Sequence, residues 1–125
     1  MARQVGWAWW EAAQLGNLAE SALEGARTEE GERRAREYLA LAREIGDRTN
    51  TVYGLAQLAW VATDRGDAER AALLWAAVEA EEARAPVDQW TPYREKYASH
   101  IAAAPRPRTA LSLDDAVEYA LTERG

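Results

Sequence analysis

Residues 55–78 read Leu55-Ala56-Gln57-Leu58-Ala59-Trp60-Val61-Ala62-Thr63-Asp64-Arg65-Gly66-Asp67-Ala68-Glu69-Arg70-Ala71-Ala72-Leu73-Leu74-Trp75-Ala76-Ala77-Val78. Leu55, Leu58, Ala59 and Ala62 recur at three- and four-residue steps, and Ala71, Leu74, Trp75 and Val78 repeat the pattern, so each half carries the apolar stripe of one helix. Between them Asp64 to Asp67 offers turn residues and no apolar face. Two helices joined by so short a turn lie antiparallel.

Extending the same reading outward predicts six helices, near 5–24, 29–45, 50–64, 67–84, 89–103 and 112–123. Breaks fall at Gly25 to Gly31, Gly46 to Asn50, Asp64 to Asp67, Ala85 to Asp88 and, most strongly, Ala104 to Thr109 with Pro105 and Pro107. Ala, Glu, Arg and Leu dominate while β-branched residues are thinly scattered, so no strand is expected. In the last segment Ser112 precedes Asp115 by three residues, a capping-box spacing, and Leu113, Ala116, Val117, Ala120 and Leu121 then share one face. Asp114 and Asp115 suit the positive end of that helix.

The chain has 125 residues, the size of one domain, with 48% hydrophobic and 29% charged residues. Its formal charge of −6 gives a field that repels phosphate backbones and anionic lipid, so direct nucleic-acid or membrane-surface binding is not expected. The chain contains no Cys, which excludes disulfides, thiolate metal sites and a cysteine nucleophile and fits a cytoplasmic location. No run approaches the ~20 apolar residues of a membrane span, and Val5 to Trp10 is cut short by Glu11, too soon for a secretory core.

An internal repeat is visible between the second and fourth segments. Ala35, Leu39 and Ala42 match Ala71, Trp75 and Val78 at a constant offset of 36 residues, with Gly31-Glu32 answering Gly66-Asp67. Helix pairs at such a period point to a solenoid.

Residues 52–85 resemble a tetratricopeptide repeat, whose first helix carries W-x2-L-G-x2-Y and whose second carries A-x3-F. Leu55, Leu58, Ala59 and Ala62 occupy the first set, Ala71 and Trp75 the second. The resemblance implies that Ala59 and Ala71 sit where the two helices approach closely and that Trp75 is core. An upstream unit matches through Ala12, Leu15, Gly16, Ala19, Ala35 and Leu39. Its Gly16 to Ala35 separation is 19 residues where the motif has 12, so the turn around Gly25 to Gly31 is enlarged or the first helix lengthened. The implied fold is an all-α, right-handed helical-repeat solenoid of about three helix pairs, 5–45, 50–84 and 89–123, in one domain spanning 1–125.

Arg70 to Ala80, Tyr93-Arg94 and Leu111 to Leu121 further resemble the C-terminal end of large bacterial LuxR-type and related signal-transduction ATPases. In those proteins a nucleotide-binding module precedes a tetratricopeptide-like sensor region. The resemblance implies a non-catalytic module of a transcriptional regulator that binds a protein, peptide or small effector. No G-x-x-x-x-G-K-[ST] loop occurs among the eight Gly residues, so ATP hydrolysis is not assigned to this chain.

In tetratricopeptide arrays the first helix of each pair lines a concave groove. That register points Tyr53, Trp60 and Asp64 of the second unit, and Trp10, Asn17 and Ser21 of the first, into the groove. Tyr53 and Trp60, seven residues apart, share a face ~10 Å apart along the axis, and Asp64 continues the stripe with a carboxylate suited to a cationic or hydrogen-bond-donating ligand. Trp10 and Trp60 retain a second reading as core residues.

Trp7, Trp9 and Trp10 cannot all hide on one helix face, so an intermolecular contact, a homodimer, is the alternative role. His100, Ser21, Ser99 and Ser112 form no catalytic or metal-ligating constellation by spacing. The chain is therefore read as no enzyme, with no cofactor. Glu79, Glu81 and Glu82, and the run Glu29 to Arg36, read as solvated helix faces.

Overall fold

The computed structural model describes residues 5–101, 107 and 110–122, and among them every regular element is a helix. The order is α1 (Val5–Glu24), α2 (Thr28–Ile45), α3 (Arg48–Asp64), α4 (Ala68–Arg84), α5 (Thr91–Ile101) and α6 (Leu113–Leu121). No helix among the described residues is long and apolar enough to cross a membrane.

Two helix-to-helix turns use one device. Gly46 and Gly66 end α2 and α3 with φ of 68° and 75°, the left-handed region that lacks a Cβ penalty only in glycine. The next residue, Asp47 or Asp67, sends its N–H back to Ala42 O (3.0 Å) or Ala62 O (2.9 Å). The same aspartates then cap the following helix by accepting from Asn50 N and Arg70 N. Ser112 accepts from Asp115 N at 3.1 Å, as the capping spacing predicts.

These turns correct the alignment of Gly31-Glu32 with Gly66-Asp67: Gly31 is buried inside α2, and Gly46-Asp47 is the structural counterpart. The long Gly16 to Ala35 separation is likewise absorbed by helix. The α1–α2 and α3–α4 connections are both three residues, and α1 and α2 simply run further past their turn.

Each of the first four helices packs on the next, α1 and α5 both pack on α3, and α5 also touches α4. The main core gathers Leu39, Val52, Leu55, Ala59, Ala71, Leu74, Val78, Trp90, Tyr97 and Val117. A smaller cluster of Ala8, Ala12, Tyr38 and Leu41 joins α1 to α2. Trp75, expected in the core, is only half-buried: its ring meets Trp90 at 6.4 Å and carries the Arg94 guanidinium at 5.5 Å.

The expected third hairpin, 89–123, is corrected. Among the described residues α5 and α6 do not approach each other; α6 settles instead against α2, α3 and α4. Its apolar face, Ala116, Val117 and Ala120, is buried. Its C-terminal carbonyls are held by Arg36 Nη1 on Leu121 O (3.1 Å) and by Arg70 Nη2 on Tyr119 O (3.2 Å) and Ala120 O (2.8 Å). Arg48 does the same for α4, donating to Glu81 O at 3.1 Å in its last turn and to Ala85 O at its cap at 2.6 Å. Guanidinium groups thus satisfy the orphan carbonyls of two helix ends.

Candidate binding cleft

The α1–α3 packing, rimmed by the α4–α5 turn, leaves a cleft of about 520 Å³. From α1 come Trp9, Ala13, Gly16, Asn17 and Glu20; from α3 and its cap come Asp47, Thr49, Asn50, Tyr53 and Gln57; Tyr38, Asp88, Gln89 and Tyr93 complete it. Gly16, Tyr38 and Gln57 are buried and form the floor, while Trp9, Asn17, Asp88, Gln89 and Tyr93 are exposed at the rim. The floor is possible because position 16 has no side chain: a Cβ there would stand 2.8 Å from the Tyr38 ring.

Hydrogen bonds fix the walls. Tyr38 donates its hydroxyl to Asn50 Oδ1, and Asn50 Nδ2 donates to Asp47 Oδ2 at 2.8 Å. Tyr53 donates to Gln89 O at 2.8 Å, and its ring meets Trp90 and Tyr93 edge-on at 4.9 and 5.9 Å. Gln57 Nε2 donates to Gly16 O at 3.1 Å, whereas Gln57 Oε1 is buried without a partner among the described residues. Behind Gln57, Tyr97 donates to Glu20 at 2.7 Å, and Lys96 Nζ lies 3.3 Å from the same carboxylate.

Burial, then Tyr53 and the Asp47 and Glu20 carboxylates, pushes the Tyr38 hydroxyl above the usual phenol range. Burial, then Tyr93 and Glu20, does the same to Tyr53. Both phenols therefore stay protonated at neutral pH. The cleft offers carboxylate and amide oxygens beside aromatic faces, and none of its lining residues is Lys, Arg or His.

Of the six groove candidates, Asn17 and Tyr53 line this cleft and Trp10, Ser21, Trp60 and Asp64 do not. The reason is α5. It packs on the C-terminal half of α3, so Trp60 is buried against Tyr97 (5.6 Å) and stacked on His100 (3.8 Å), while Asp64 Oδ1 holds His100 Nε2 at 2.7 Å. On α1 the cleft meets Trp9 and Glu20, each one position before the expected Trp10 and Ser21. Those two are exposed outside it, Trp10 stacked on Trp7 at 5.7 Å.

Sequence reasoning missed Gln57, Glu20, Tyr38, Trp9 and Tyr93. Gln57 left a signal: it is the one amide among Leu55, Ala56, Leu58 and Ala59, and a polar group inside a core stripe needs a partner or a purpose. Comparison with family models, with curated proteins and with solved structures returns no match.

Proposed function

We propose that this chain is a non-catalytic helical-repeat module that binds a peptide, protein segment or small effector in the α1–α3–α5 cleft. The carrying observation is the cleft, whose ~520 Å³ and mixture of aromatic walls with a few placed polar groups match the general character of ligand sites. The repeat reading is supported by α1, α3 and α5 lying side by side, with α2 and α4 packed behind them as the second helix of each pair. The regulator context rests on the likeness of Arg70 to Ala80, Tyr93-Arg94 and Leu111 to Leu121 to LuxR-type signal-transduction ATPases. A cytoplasmic location accords with the absence of Cys.

The test is amide chemical-shift mapping of the full chain against capped peptides and small effectors. Shifts concentrated at Asn17, Glu20, Tyr53, Gln57 and Gln89 support the reading. Bound compounds whose shifts avoid these positions overturn it.

A second reading, pairing of two copies through the N-terminal aromatic residues, is favoured by one observation: Trp7, Trp9 and Trp10 are 66%, 54% and 53% exposed. Trp7 and Trp10 stack on each other outside the cleft, and exposed aromatic clusters mark contact sites. Sedimentation of the wild type and of Trp7→Ser/Trp10→Ser tests it. A concentration-dependent dimer that the double variant lacks supports this reading, and a monomer at high concentration removes it.

A further inference from the structure

The cleft is unbalanced in its hydrogen-bonding groups. Glu20, Asp47 and Asp88 bring three carboxylates, and no cationic side chain is among the lining residues. Lys96 pairs with Glu20 and with Glu24, and the chain as a whole carries −6, so the local field is not reversed by the rest of the molecule.

An independent observation comes from the floor. Gln57 is 1% exposed and lines the cleft, its nitrogen is committed to Gly16 O, and its oxygen has no partner. An unpaired buried carbonyl oxygen is costly, and only a donor can relieve it. The rim adds aromatic side chains: Tyr93, 43% exposed, and Trp9 of α1, 54% exposed, both line the cleft. Aromatic faces attract cations and cover the apolar carbon next to them.

We infer that the ligand of this cleft is an organic cation with N–H donors, a guanidinium or ammonium group on an apolar stem, whose donors meet the cleft carboxylates and Gln57 while its stem lies between the rim aromatics. This rests on the cleft being the binding surface. Inorganic cations lack the stem, and anionic ligands meet three carboxylates.

The test is isothermal titration of the full chain with capped Gly-Gly-Arg-Gly-Gly, with the same peptide carrying citrulline, which keeps the shape and loses the charge, and with agmatine. The arginine peptide is expected to bind at least tenfold tighter than the citrulline peptide. The gap should shrink as salt rises from 0.1 to 1 M and the screening length falls from ~10 Å to ~3 Å. Agmatine as tight as the peptide identifies a free cation, and agmatine tenfold weaker identifies a peptide side chain; both support the assignment.

Asp88→Asn and Tyr93→Ala should each weaken the arginine peptide at least threefold, Asp88→Asn with unchanged melting and Tyr93→Ala with the small loss of its edge contact to Tyr53. Equal binding of arginine and citrulline peptides, sensitive to these substitutions, overturns the cation assignment and leaves the cleft reading intact. Arginine binding indifferent to both substitutions overturns the two together, and no binding of either peptide or agmatine overturns the assignment.

Discussion

Trp60 lies flat on His100, with ring centres 3.8 Å apart and planes 10° from parallel, and the imidazole is anchored at its Nε2 by Asp64. This stack fastens α5 to α3. It turns a stripe that reads as a groove into the seam between two helices, and it leaves the opposite half of α3, from Tyr53 to Gln57, to face the cleft.

The seam makes Trp60 a stability residue. Trp60→Ala should cost about 3 to 5 kcal/mol, the range for emptying a buried aromatic site, whereas Trp10→Ala on the exposed face of α1 should cost less than about 0.5 kcal/mol. Urea denaturation of both variants checks this. Equal midpoints would show that Trp60 is not packed in the seam.

Glu81 should dominate the acid limb of stability. The side-chain hydrogen bond from Arg84, with added attraction from Arg48, outweighs burial and holds its carboxyl down to about 2 from an ordinary 4.5. A depressed folded-state pKa gives stability that is fully present above the unfolded value and is lost as pH falls from about 4.5 through about 2. Because the Arg84 side chain is exposed, solvent screening holds the contribution to about 1 kcal/mol. Glu81→Gln should flatten the stability profile over that window. A slope as steep as wild type between pH 5 and 2 would contradict it.

Gly54 sets the approach of α3 to α2. A Cβ at this position would meet Leu39 Cβ at 3.0 Å and Leu39 Cα at 3.2 Å, and a backbone atom cannot step aside as a side-chain tip can. Gly54→Ala should therefore lose about 1 to 3 kcal/mol by overpacking, outweighing the ~1 kcal/mol gained from helix propensity. A stabilised variant in thermal melts would mean that the helices have room to separate.

The arginine clamp should govern α6. Removing the Arg70 guanidinium strips donors from Tyr119 O and Ala120 O and its contact 4.8 Å over the Tyr119 ring. Arg70→Ala should cost about 1 to 2 kcal/mol and speed hydrogen exchange across 113–121 while α1 to α3 keep their protection. Exchange rising evenly over the whole chain would indicate that α6 is part of one cooperative unit.

Much of the fold was legible because the signals were local. The helical periods of Leu55 to Ala62 and Ala71 to Val78, the Gly-Asp turns and the Ser112 cap each depend on a few neighbouring residues. The placement of α5 and α6 was not, since nothing in Leu113 to Leu121 says that its apolar face meets α2 and α4 instead of α5. The cleft was half legible for the same reason. Tyr53 and Asn17 follow from the face of their own helices, while Trp60 and Asp64 were lost to α5, whose docking depends on His100, Tyr97 and Trp90 far along the chain. Gln57 was visible as an oddity in an apolar stripe, but its meaning required Gly16 O on another helix.

The most direct test of the binding cleft is a paired measurement on Asn17→Arg, which puts bulk and positive charge into the cleft from an exposed position on α1. The peptide giving the largest shifts in the mapping experiment is titrated against wild type and variant, and both are melted. Binding should fall at least tenfold while the melting temperature stays within about 1 °C, as expected for a surface substitution away from packing. Unchanged affinity in a fully folded Asn17→Arg protein would contradict the assignment of this cleft as the binding surface.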